Sequence, residues 1–252
     1  MTAAPGAVPL DLPLALRQIA LGFWHDFAPI VLLGFVMVTL PEVALALAGT
    51  HGGSTVIATF GGMLRVLYVV IVSHGTLARL DDRPLGPRIF ARAGVAASPR
   101  ALSVALLLGA GVVLVLVALL LAGLAGGAAI VVRVAVIAVA FAVAVVAVPA
   151  IPLALVERRA PVATLTRAAA LTAGNRGRIA IVIGVVVLTI VPARLVIAAS
   201  VYGLAASAAR MGAIDAGMTL ASPGLWLIAL FDLLGWSVGA VVPAVIYRGL
   251  RN

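Results

Sequence analysis

Three observations predict an all-α, polytopic integral membrane protein with six transmembrane helices. Hydrophobic residues make up 64% of the 252 and charged residues only 10%. Soluble domains carry about a quarter charged residues, so this chain has too little polar surface to face water. Apolar runs long enough to cross a bilayer recur six times, and the arginines gather in alternate connections between them.

Residues 1–13 hold three prolines and no periodicity, which predicts a loose tail. They lack the basic region and apolar core of a signal peptide. Leu14 to Phe23 sets Leu14, Ile19, Leu21 and Phe23 around one arginine. That pattern predicts an interfacial helix, with Trp24 at headgroup level. Residues 1–26 are thus a tail and interfacial helix, and 27–252 a six-helix membrane domain.

The first span is expected over about Phe27–Ala48, with a turn at His51-Gly52-Gly53, and the second over about Thr55–Leu77. Arg79 to Arg100 is polar, with five arginines and three prolines, and reads as a loop. The third span covers about Ala101–Leu124, with a turn at Ala125-Gly126-Gly127. The fourth covers about Ala129–Val156 and contains Arg133. Its thirteen Val, Ile and Phe between Ile130 and Ile151, at roughly −0.3 to −0.6 kcal/mol each, outweigh the roughly +3 kcal/mol of one arginine. The fifth runs over about Ile179–Tyr202 and the sixth over about Leu225–Tyr247, with a loop near Gly203–Pro223 between them.

Thirteen loop arginines fall on one side of this arrangement and only Arg210 on the other. The positive-inside rule then puts both termini in the cytoplasm. All 17 basic residues are Arg, and Ala, Val and Gly are abundant, which fits a GC-rich bacterium and its inner (cytoplasmic) membrane. The net charge of +9 matches basic loops on an anionic leaflet rather than nucleic acid.

Several chemistries are excluded. There is no Cys, hence no disulfide, thiol nucleophile or thiolate metal site. There is no Lys for a Walker-A loop or a Schiff base. His25, His51 and His74 have no zincin spacing. The sequence therefore offers no catalytic set, cofactor site or metal site. Asp81-Asp82 lacks further ligands and reads as partners for nearby arginines, and His25-Asp26 as an interfacial pair rather than a proton relay.

Two groups of polar residues remain. Glu42, Arg65, Arg133, Arg194 and Asp232 lie inside five different spans. Four sit roughly 8–14 Å from the Arg-poor ends of their helices and Arg65 roughly 15 Å, at 1.5 Å per residue. Intramembrane charges are costly unless paired or wet. Either they form a cavity for an anionic group such as a lipid phosphate, or they are interhelical ion pairs with the surplus Arg snorkelling.

The second group is the elbow from Pro149 to Arg178, where the fourth span is broken at Pro149 and Pro152. The chain leaves the bilayer at Glu157-Arg158-Arg159, runs as a short helix over about Val162–Ala173, and turns at Gly174-Asn175. Val162, Leu165, Ala169 and Thr172 share one side of that helix. Glu157, Arg158, Arg159, Arg167, Thr172, Asn175, Arg176 and Arg178 are candidates for holding anionic headgroups; the competing reading makes the arginines orientation signals only.

Pro149, Glu157, Leu165, Arg167, Leu171, Thr172, Gly174, Asn175 and Arg178, with the ending Tyr247-Arg248-Gly249-Leu250-Arg251, resemble the membrane domain associated with bacterial glycerophosphoryl diester phosphodiesterases and related six-span proteins. Ala168 stands where that pattern has Ser, and Gly177 where it has an aromatic. The resemblance implies a membrane module that handles or senses lipid. It carries no enzymatic activity across, because no polar stretch here is long enough for the soluble phosphodiesterase domain. The expected partners are anionic membrane lipids, together with a partner protein or a second copy of the chain. The expected function is a non-enzymatic module that binds or senses them; a transporter or flippase component is the alternative.

Overall fold

In a computed structural model, residues 9–48, 54–122, 129–157, 159–210 and 222–251 are described, and among them there is no strand. The described residues form ten α-helices in order: α1 Leu12–His25, α2 Phe27–Gly34, α3 Leu40–Ala48, α4 Ser54–Leu80, α5 Pro87–Ala122, α6 Ala129–Ala147, α7 Ala150–Glu157, α8 Pro161–Thr172, α9 Arg176–Arg210 and α10 Pro223–Arg251. Among the described residues six stretches are long and apolar enough to cross a membrane, so the chain is a multi-pass membrane protein. The turns expected at His51-Gly52-Gly53 and Ala125-Gly126-Gly127, most of the Gly203–Pro223 loop, and Arg158 lie outside the described residues.

The first span is α2 and α3 joined through a π-helical turn, Phe35–Thr39. Pro41 explains it. A proline lacks the N–H for an i→i−4 bond, and its ring crowds the carbonyl four residues back. Leu40 N–H bonds instead to Phe35 O, five residues back, which widens the turn ahead of the proline. Beyond it Pro41 packs so closely on α4 that a Cβ on Gly61 would lie 3.0 Å from the proline ring.

α4 and α10 form the centre of the bundle. Tyr68, Val70, Ile71 and Val72 of α4 are buried, as is the whole run from Ala240 to Tyr247 of α10. The polar groups between them are satisfied locally. Tyr68 Oη lies 2.6 Å from Ser237 Oγ and donates to Ile30 O at 3.3 Å, while Ser73 Oγ donates to Ala240 O at 2.9 Å. Such bonds matter where no water can replace them.

The Arg79–Arg100 segment departs from expectation. Only its beginning is a turn; from Pro87 onward it is the first part of α5. Proline suits the first helical position, and Phe90 and Gly94 then seat this stretch on α4. Phe90 is 1% exposed and faces Gly75, and Gly94 lies against the backbone of Ile71. A side chain on either glycine would collide, so these two positions require glycine.

α1 is more than an interfacial appendage. Its Ala15, Ile19, Gly22 and Phe23 face is buried, chiefly against α10, and Asp11 caps it by accepting from Leu14 N–H at 3.1 Å. Trp24 is exposed and stacks on Phe27. The break in the fourth span falls at Pro149, between α6 and α7.

Candidate functional site

Ion pairs mark the two ends of the bundle. At the Arg-rich end Asp26 pairs with Arg79 and Asp81 with Arg248. At the other end Glu42 pairs with Arg65 and Arg194 with Asp232. Span one therefore runs opposite to spans two and six.

Four of the five intramembrane charges come together. Glu42 of α3 meets Arg65 of α4, and in a second, bidentate pair Arg194 of α9 gives Nε to Asp232 Oδ1 and Nη2 to Asp232 Oδ2, the latter at 3.0 Å. Arg65 also lies 5.7 Å from the ring centroid of Trp236 on α10 and interacts electrostatically with both Asp232 and Arg194. Two cations and two anions leave this quartet neutral. Arg133 does not join it. That residue is exposed on α6, which packs on α5, α8 and α9, and among the described residues it has no ion-pair partner.

Beside the Arg194–Asp232 pair runs a groove of about 320 Å³. Val69 and Ile190 line it, and α10 contributes Asp232, Gly235, Trp236 and Gly239. Those four positions are spaced i, i+3, i+4 and i+7, one face of a helix. A second groove of about 340 Å³ between α5 and α6 is lined only by apolar residues such as Leu114 and Val139 and offers no anchoring group.

At the elbow, the side shared by Val162, Leu165, Ala169 and Thr172 packs only in part: Thr172 is buried and Leu165 is partly buried against the core, but Val162 is not. Thr164, Ala168 and Thr172 are each 0% exposed, at i, i+4 and i+8, whereas Val162 is 67% exposed. Small residues win because they let α8 approach α5, α6 and α7 closely, and each threonine hydroxyl bonds back into its own helix: Thr164 to Ala160 O and Thr172 to Ala168 O, both at 3.0 Å. Gly174 follows with φ 88°, a left-handed conformation that favours glycine.

The headgroup candidates therefore divide. Thr172 and Asn175 are buried, which removes them from any surface contact. Asn175 Oδ1 accepts from Leu10 N–H at 2.9 Å, and Arg178 Nη1 donates to Leu10 O at 2.7 Å, so both residues clamp the segment that enters α1. Glu157 pairs with Arg159 at 2.7 Å and lies 3.8 Å from Arg167. The arginine side chains of Arg159 and Arg167 are still 51% and 47% exposed, and Arg176 is exposed with one long bond to Ala169 O.

The Asp26–Arg79 pair and the Leu10 clamp escaped sequence reasoning. Asp26 follows His25 directly, which drew attention to a local pair; His25 instead approaches Leu21 O at 2.7 Å. The signal for the true partner is that Asp26 and Arg79 each stand at the Arg-rich end of an adjacent span. The chain matches no protein-family model, no curated protein sequence and no solved structure.

Proposed function

We propose that this protein is a non-enzymatic integral membrane module that binds anionic lipid headgroups at the elbow, with the Arg-rich end facing the cytoplasm of a bacterium. The observation that carries the reading is the way α8 is seated. Its small face is buried in the bundle while Arg167 of the helix, and Arg159 and Arg176 on either side of it, are exposed, with one carboxylate, Glu157, among them. A cationic surface fixed at a span's exit suits an anionic leaflet, where each arginine contributes about 1 kcal/mol. The resemblance of the elbow to the phosphodiesterase-associated membrane domain supports the same reading. The transporter alternative is weakened by the neutral quartet, which has no spare cation for an anionic cargo, and by a groove whose lining does not include Arg65.

The test replaces Arg159, Arg167 and Arg176 together by Gln and measures lipid co-purification by native mass spectrometry. Retention of phosphatidylglycerol and cardiolipin falls if the elbow holds headgroups. Unchanged retention, with all six spans inserted, leaves the arginines as orientation signals and removes the proposal.

A further inference from the structure

The groove along α10 has a polar end, an apolar length and a floor without side chains. We infer that it is a separate binding site for one phospholipid, an acyl chain lying along the groove and the lipid's ester or phosphate oxygens accepting from Arg194.

The argument begins with what Arg194 has left to give. A guanidinium carries five N–H donors in a planar fork. Asp232 takes one from Nε and one from Nη2. Among the described residues no acceptor takes the two on Nη1, although the arginine side chain is 43% exposed. In hydrocarbon such donors are costly to leave unmet. Asp232, by contrast, is only 9% exposed, and both its oxygens accept from Arg194. The pair therefore presents donors, not acceptors, to whatever lies beside it.

The depth suits a lipid. α10 has 29 residues, about 43 Å against a hydrocarbon thickness near 30 Å, so each end overhangs by about 7 Å. Asp232 is nine residues from Pro223, about 13 Å along the axis, which places it about 7 Å below the hydrocarbon boundary. The Arg194 guanidinium stays with Asp232, so a lipid meets its Nη1 donors with ester oxygens drawn below that boundary.

The rest of the groove fits a chain. Val69, Ile190 and Trp236 supply apolar walls, and its volume is at the small end of the ~300–1,000 Å³ typical of ligand sites. Gly235 and Gly239 keep one strip of α10 bare. Gly235 is bare because α9 is close: an added Cβ would lie 3.0 Å from Ile190. At Gly239 an added Cβ would meet nothing within 4 Å, so no packing within the bundle requires glycine there. A Gly-x-x-x-Gly strip also suits a docked helix. A helix would leave the Arg194 donors unmet unless it brought an acceptor of its own, whereas every phospholipid brings one.

Because Arg194–Asp232 and Arg65–Glu42 balance, the site selects for an oxygen acceptor and a chain, not for net negative charge. That separates it from the elbow. The full chain is purified in dodecyl maltoside, supplied with phosphatidylglycerol or phosphatidylethanolamine, and read by native mass spectrometry. Three proteins are compared: wild type, Gly239→Leu, and the elbow variant with Arg159, Arg167 and Arg176 all changed to Gln. A side chain at Gly239 starts in open space, with nothing within 4 Å of its Cβ, so Gly239→Leu projects into the groove rather than into the packed bundle. The elbow variant should retain one tightly held lipid of either headgroup, wild type should hold that lipid besides any anionic lipid at the elbow, and Gly239→Leu should lose it by about tenfold or more. Undiminished retention in Gly239→Leu, a lipid held by the elbow variant that selects phosphatidylglycerol, or a dimer that Gly239→Leu dissolves would overturn the site. None of these results depends on whether the elbow variant loses anionic lipid.

Discussion

Arg79 Nε lies 2.7 Å from Asp26 Oδ2, and its Nη2 reaches the other carboxylate oxygen, so the junction between α1 and α2 is tied to the end of α4. The two partners differ in exposure: the Asp26 side chain is 3% exposed and that of Arg79 is 30%. A stranded buried charge is the expensive state. Arg79→Gln should therefore destabilise the bundle by about 3–5 kcal/mol. Asp26→Asn should cost less, because Arg79 can turn to water. Unfolding in bicelles measures both; equal losses would contradict the asymmetry.

Arg194 and Asp232 should show strong coupling. Each single substitution leaves a charge in the outer part of the bilayer, whereas Arg194→Gln with Asp232→Asn leaves none. The double variant should be more stable than either single one. A double-mutant cycle that gives no coupling energy would mean that the pair holds nothing together.

Ala168 is 0% exposed at the centre of the α8 interface. Ala168→Leu overpacks that contact and should cost about 1–3 kcal/mol. Ala168→Ser is small, and its hydroxyl can bond back to Thr164 O one turn earlier, so it should cost well under half as much. Thermal denaturation followed by tryptophan fluorescence separates the two. Similar losses would show that α8 is loosely seated.

The spans were legible because membrane insertion depends on long apolar runs, and each run here exceeds the required length with few charges inside it. Pro149 and Gly174 were equally readable, since each imposes a backbone constraint that does not depend on partners. On α8, hydropathy does not say which residues pack: Leu165 is partly buried against the core, but Val162 is 67% exposed while Thr164 and Ala168 are 0% exposed. In lipid, apolar residues need no burial and close approach favours Ala and Thr. Arg133 was grouped with the quartet on depth alone, and depth does not say which helices touch. The start of α5 was missed for a related reason: Arg88 and Arg92 suggest a loop, while Phe90 and Gly94 between them decide the packing.

Asn175 should be needed for order at the start of α1. Asn175→Ala removes the acceptor for Leu10 N–H while leaving Arg178 on Leu10 O. A buried amide without its partner costs about 1–3 kcal/mol. Amide exchange at Leu10 should rise steeply in that variant, with α4 unaffected. Unchanged protection would show that the clamp does not order this segment.

The absence of Cys makes orientation testable by single-cysteine labelling. Asp82→Cys, at the Arg-rich end, should resist a membrane-impermeant maleimide added to intact spheroplasts. Ser222→Cys, at the Arg-poor end, should react. The opposite pattern would invert the topology.

Whether the elbow lies on an anionic membrane surface is tested most directly by spin-label depth measurements along α8. Nitroxides at Val162, Thr166 and Ala170, all on exposed positions, are compared for collision with oxygen and with a water-soluble nickel chelate in vesicles. Headgroup-level depth that increases when phosphatidylglycerol replaces phosphatidylcholine is the expected result. Labels that stay fully accessible to the chelate at every lipid composition would place α8 in water and contradict the account.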